Sequence, residues 1–260
     1  MICRDIIATV NEFAPLSLQE NWDNSGVQLG DIDDECRGVL LCVDVTPDVV
    51  DEAVSRGCNL IVSHHPLIFK GLRHITGATP VERAVMRALR SGVTVYAAHT
   101  SLDSTRGGVS YAMASMLGAR VTGVLSPSAG DPDTGLGVVA RFDEPLAPDA
   151  LAARVRRAFG SPVTRCSSGT GAAVSCVAMC GGSGGEFIGA ARAAGAQAYI
   201  TSDVRYHDFV DHGREIFIVD IGHYESESCA KDIFYRVISE KFPNFAVYYS
   251  EIEKNPINYL

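Results

Sequence analysis

No stretch of this sequence is apolar for anything near the ~18 residues that a membrane-spanning helix needs, so a bundle of such helices is excluded. The opening run MICRDIIATVNEF lacks the apolar core of a secretory leader and reads instead as an amphipathic helix, with Ile2, Ile6, Val10 and Phe13 near one face. Basic residues are in deficit: 22 Lys and Arg stand against 31 Asp and Glu, a formal net charge of −9. That argues against nucleic acid as a partner, because sequence-independent binding rests on neutralising phosphates. No CxxC pair occurs among the eight cysteines, at 3, 36, 42, 58, 166, 176, 180 and 229. In a chain long enough to build its own core they read as buried free thiols of a cytoplasmic protein, not as a disulfide framework. A Walker sequence is also missing, since no Gly-Lys-Ser/Thr follows the glycine run GGSGG at 181–185.

What is present alternates strand-like and helix-like runs, the pattern of an α/β protein. RGVLLCVDV (37–45) reads as a strand. The helix after it takes Thr46 as N-cap, Pro47 at its first position and Gly57 as its stop. TPVERAVMRALRSG repeats the device, with Thr79 capping, Pro80 starting, Glu82 completing a capping box and Gly92 ending the helix. SPSAGDPDTGLG (126–137) reads as a linker or long loop. A long helix is expected from about 224 to 242, and NFAVYYSEI reads as a closing strand. Domains are expected over 1–126 plus 214–260 and over 127–213.

One regularity points to function. Four times a glycine is followed by a strand, with a polar residue seven positions on: Gly57 to His64, Gly92 to His99, Gly195 to Ser202 and Gly213 to Asp220. Ligands of open α/β sheets bind beyond the carboxyl ends of strands. His64, His65, His99 and His223 all fall at such ends, Asp103 stands four residues past His99, and Glu227 four past His223. If a helix begins at His223, the pair shares one face. Imidazole and carboxylate together suit Zn, Mn, Fe, Co or Ni. Strand neighbours point to opposite faces, so His64 and His65 each suit one of two ions about 3.5–4 Å apart, with the two-oxygen carboxylate of Glu227 as the candidate bridge.

The motifs NWDNSGVQLG (21–30), IVSHHPLIFKGL (61–72), AHTSLD (98–103), CGGSGG (180–185), ITSDVRYHD (200–208) and GHYESE (222–227), in this order, resemble the Nif-three-like family, also called GTP cyclohydrolase I type two homologues. The resemblance covers nearly the whole chain. It implies two interlinked α/β domains of related architecture with the metal site in the cleft between them, assembled as a toroidal homohexamer. It carries the family's dinuclear site onto His64, His65, Asp103, His223 and Glu227, holding two divalent transition-metal ions. At 260 residues there is no room for the extra inserted domain of some members.

The expected function is that of a metal-dependent hydrolase acting on a small molecule through a metal-bound hydroxide, with His99 and His207 as candidate catalytic proton carriers. A metal-binding regulatory or adaptor protein without turnover is the alternative, as is a phosphoesterase or nucleotide hydrolase using the same ions. NWDNSGVQLG reads either as a loop lining the site or as a surface turn with Trp22 packed on the core. GGSGG reads either as a phosphate cradle on a helix N-terminus or as a tight connection. His74 and His212 read as surface residues.

Overall fold

Helix ends set the geometry of this chain. The computed structural model describes residues Met1–Leu260 and divides into two compact units, Met1–Thr105 with Ala230–Lys254, and Arg106–Cys229 with Asn255–Leu260. The first unit holds α1 (Cys3–Phe13), β1 (Gly26–Leu29), β2 (Val39–Cys42), α2 (Pro47–Ser55), β3 (Leu60–Ser63), α3 (Pro80–Arg90), β4 (Thr94–Ala97) and α4 (Thr100–Ser104). The second holds α5 (Val109–Met116), β5 (Arg120–Ser128), β6 (Asp131–Leu146), α6 (Pro148–Phe159), β7 (Arg165–Cys166), β8 (Val174–Ser183), α7 (Ile188–Ala193), β9 (Ala198–Ser202), α8 (Tyr206–His212), β10 (Phe217–Asp220) and α9 (His223–Glu227). The chain then returns to the first unit with α10 (Ala230–Lys241) and β11 (Val247–Tyr249).

The first sheet has the order β1-β4-β3-β2-β11, with β1 antiparallel to β4 and the other pairs parallel. β2, β3 and β4 are buried at every residue, as parallel strands covered on both faces must be. Val49, Val50 and Ala53 of α2 and Ala84, Val85 and Ala88 of α3 pack with Leu40, Ile61 and Val95 in one apolar cluster. The second sheet runs β5-β6-β8-β9-β10-β7, with β8, β9 and β10 parallel and the outer pairs antiparallel. No helix is long and apolar enough to cross a membrane.

The glycine regularity has a hydrogen-bonded cause. After α2, the Gly57 amide donates to Val54 O and the Cys58 amide to Ala53 O; after α3, Gly92 donates to Leu89 O and Val93 to Ala88 O; after α7, Gly195 donates to Arg192 O and Ala196 to Ala191 O. This is the Schellman pair, and all three glycines sit in the left-handed region it needs, at φ +74°, +62° and +76°. Each stop delivers the chain directly into β3, β4 or β9. Gly213 ends α8 differently, at φ −68°. A Cβ there would lie 2.4 Å from Phe209 O, so close approach, not handedness, requires that glycine.

Three expectations are corrected. Residues 126–137 are not a linker: β5 and β6 pair antiparallel across them as a hairpin turned at Gly130, φ +86°. The expected helix over 224–242 is two helices. The Ser226 hydroxyl donates back to His223 O at 2.7 Å, a competing bond that bends helices, and α10 restarts at Ala230. The units divide at Arg106 and Ala230, away from the expected 127 and 214, because the β5–β6 hairpin, β10 and α9 all belong with the second sheet.

The start of α3 yields a test. Thr79 Oγ1 accepts from the Glu82 amide, and Glu82 Oε2 accepts from the Thr76 amide and hydroxyl and from the Ala78 amide. Bonds from Thr76 first, then Ala78 and Thr79, pull the Glu82 carboxyl down to about 2 from 4.5. Thr79→Ala is expected to cost about 1 kcal/mol in urea unfolding. A depressed carboxyl stabilises above its unfolded value and loses that contribution as pH falls through its folded one. The melting-temperature gap between wild type and Glu82→Gln is therefore expected to narrow from pH 4.5 towards pH 2; a constant gap would refute it.

Candidate metal centre

Because β2, β3 and β4 run parallel, the loops after them open at one edge of the first sheet, and they carry Asp44, His64, His65 and His99. The amides of His64 and His65 continue the ladder past the end of β3, donating to Cys42 O and Val43 O. Beyond Ser63 strict alternation lapses, and the two rings tilt together with centroids 5.2 Å apart. His99 closes the group, its ring 5.4 Å from each of the others. The ligand atoms of the three imidazoles lie within 4.8 Å of one another. Asp103 on α4 places Oδ1 3.7 Å from His64 Nε2.

Each ring is held by its other nitrogen. His64 Nδ1 lies 3.0 Å from Ala98 O, His65 Nδ1 2.8 Å from Asp44 Oδ1, and His99 Nδ1 2.7 Å from Asp23 Oδ1. A carbonyl can only accept, so His64 Nδ1 carries the hydrogen; facing a carboxylate, the other two do the same. Nε2 is then the nitrogen with a lone pair to give, as in metal-binding histidines. Asp23 is fully enclosed. Burial alone would raise its pKa, but donors from His99, Thr100 and Ser25 hold it well below the carboxylate range.

The second unit repeats the device. α9 starts at His223, so His223 and Glu227 share one face, with Nε2 2.9 Å from Glu227 Oε2. His223 Nδ1 donates to Asp203 Oδ2 at 2.6 Å. Asp203 is the one non-glycine residue with positive φ, +53°, a strained backbone of the kind found at functional sites. Burial would lower the His223 imidazole, but hydrogen bonds and charge from Asp203 and Glu227 hold it up at about 10. The bond from His223 in turn depresses Asp203. An imidazole between two carboxylates marks a place that favours positive charge.

The glycine run is explained here. A Cβ on Gly182, φ +63°, would lie 2.2 Å from Glu227 Oε1, and one on Gly184 2.4 Å from Thr201 Oγ1. The Gly182 amide donates to Ser226 Oγ, and Tyr199 OH donates to Gly184 O. The run therefore makes room for the Glu227 carboxylate and packs against β9. α7 follows it as a short helix, Ile188–Ala193.

Of the residues singled out from sequence, the structure gathers His64, His65, Asp103 and His99 in the first unit and His223 with Glu227 in the second. His207 stands exposed on α8, its ring edge-on to Tyr206 at 5.3 Å. Trp22 is 60% exposed and edge-on to His99 at 5.9 Å, so it lies beside the histidines and not in the core. Asp44 and Asp23 were not singled out, although each had a signal: Asp44 ends a strand just before a helix cap, and Asp23 lies inside NWDNSG. Imidazole nitrogens already oriented, joined by carboxylate oxygens, fit a borderline divalent cation.

A family model described as Duf34/NIF3 (NGG1p interacting factor 3) matches residues 1–256. A Clostridium acetobutylicum protein named GTP cyclohydrolase 1 type 2 homolog is 31% identical over 226 residues, covering 86% of this chain and 84% of its own. A protein of the same name from Lactococcus lactis is 31% identical over 262 residues, covering 97% of each. Among solved structures, a hypothetical protein of Staphylococcus aureus superposes with a TM-score of 0.90 at 26% identity, covering 100% of this chain and 99% of its own.

Replacing Asp23, Asp44 or Asp203 by Ala is expected to weaken zinc binding about 10–100-fold, because each releases an imidazole from its orientation. Competition against a chelating dye measures it. Unchanged affinity in all three variants would show that these carboxylates do not serve the metal.

Proposed function

Because the chain belongs to the Duf34/NIF3 (NGG1p interacting factor 3) family, we propose that it is a metal-dependent hydrolase holding two divalent transition-metal ions on His64, His65, Asp103, His223 and Glu227. The observation that carries this reading is the anchoring of His64 and His65 through Nδ1, which leaves each Nε2 its lone pair, together with His223 set between the carboxylates of Asp203 and Glu227, where positive charge is favoured. Glu227, with two carboxylate oxygens, would help hold the ions beside the histidines. When bound, the ions supply Lewis acidity and acidify a coordinated water, a nucleophile suited to an electrophilic carbon or phosphorus.

The chain's own residues supply the rest. Asp23 holds the His99 ring by Nδ1, so His99 presents Nε2 among the neighbouring imidazoles as an oriented base. That contact favours His99 over the exposed His207 as the proton carrier. The name of the relatives, GTP cyclohydrolase 1 type 2 homolog, directs the first substrate panel to purine nucleotides, with phosphoesters beside them.

Elemental analysis of protein reconstituted with Zn, Mn or Fe is expected to give about two ions per chain. His65→Ala should lose metal and turnover together. His99→Ala should keep both ions and lose about 10²–10⁴ in turnover on the panel. Absence of bound metal after reconstitution would overturn the reading. Loss of an ion in His99→Ala would make His99 a ligand instead of a base.

A further inference from the structure

Two large apolar side chains stand in water beside the histidines. Trp22, the only tryptophan, is 60% exposed and Phe69 is 47% exposed. They come from loops far apart in sequence, yet their ring centroids are 6.0 Å apart at 66°. His99 completes the corner, 5.9 Å from Trp22 at 74° and 6.1 Å from Phe69 at 79°. Edge-on contacts of this kind cover at most one face of a ring and leave its outer face open.

The corner is held by polar bonds. Asn24 Nδ2 donates to Ile68 O at 2.7 Å, the Ile68 amide donates to Gln28 Oε1 at 3.1 Å, and Gln28 Nε2 donates to Asn24 O at 2.7 Å. These bonds stitch the loop carrying Trp22 to the loop carrying Phe69. On the other side Asp23 binds the Thr100 amide and hydroxyl and His99. The loops that carry the two aromatic rings are thus held together while the rings stand in solvent. Such preorganised aromatic surface loses little freedom when a ligand docks.

We propose that Trp22 and Phe69 form a binding corner for a planar heteroaromatic ring, and that this ring is the part of the substrate presented to His99; the proposal rests on the hydrolase reading of this site. A ring sandwiched between two others needs about 7 Å, twice a carbon contact of about 3.5 Å. The 6.0 Å spacing is too small, so the ligand ring packs on an outer face and meets the second aromatic edge-on. An aliphatic or purely sugar-phosphate ligand would gain neither contact. Stacking of this type tolerates many rings, so the corner selects a class of ligand and leaves finer choice to other groups.

As the only tryptophan, Trp22 reports directly on the corner. Guanosine monophosphate, with ribose 5-phosphate as the ring-free control, is titrated into metal-free and zinc-loaded protein while indole emission is followed. The nucleotide is expected to quench saturably and the sugar phosphate to leave emission unchanged. Phe69→Ala should raise the nucleotide Kd about ten-fold, the effect of losing one good ring contact, with zinc content and melting temperature unchanged. Calorimetry on Trp22→Ala, which has no indole signal, should show a loss at least as large. Equal response to both ligands, or a Kd indifferent to Phe69→Ala, would overturn the proposal. So would emission that follows protein concentration and not ligand, because a second copy of the chain would then cover the rings. Quenching by the nucleotide in a protein that fails to bind zinc would sink the hydrolase reading and leave the corner standing; zinc binding without quenching would do the reverse.

Discussion

An imidazole can serve a metal only through a nitrogen that has a lone pair, and in this protein that choice is made by an oxygen behind each ring. Ala98 O, Asp44, Asp23 and Asp203 take the Nδ1 hydrogens of His64, His65, His99 and His223. Much of the surrounding structure serves those oxygens. The Asp23 carboxylate accepts from His99, the Asn24 amide, the Ser25 hydroxyl and both the amide and hydroxyl of Thr100. An enclosed charge with fewer donors would cost several kcal/mol. Asp203 bends into a left-handed backbone to reach His223. The rings are therefore oriented by the chain itself.

The glycines do related work at two scales. Gly57, Gly92 and Gly195 close their helices so that strands start in register and end where polar side chains are wanted. Gly182 gives up a side chain so that Glu227 can lie against the backbone. One residue type sets the sheet edge in the first case and clears space for a carboxylate oxygen in the second.

What could be read in advance was local. A helix cap, a glycine stop and a four-residue strand lie within one short stretch of chain, so His64 and His99 could be placed at strand ends from spacing alone. His223 and Glu227 needed only a helix beginning at the right residue. The oxygens behind the rings could not be read this way: Asp23 is 76 residues from His99, Asp44 is 21 from His65 and Asp203 is 20 from His223. Those pairings are made by the sheet and leave no periodic trace. The 126–137 stretch misled for another reason, because Gly, Pro, Ser and Asp compose both linkers and tight hairpins. The expected helix to 242 is interrupted at Ser228 and Cys229, a break that the helical pattern of the sequence does not announce.

The return of the chain to its first unit has a consequence for synthesis. β11 is the last strand made and pairs with β2, one of the first. Just beyond it, Glu253 accepts from the amides of Val43 and Asp44 and from Lys231, across as many as 210 residues. The backbone that carries the His65 anchor is thus completed by a residue made some 210 positions after it. Until then that strand end lacks its partner, and a nascent chain has a frayed edge where the finished protein has a fixed carboxylate. A protein clipped ahead of Glu253 would keep the histidine while losing the clamp behind it.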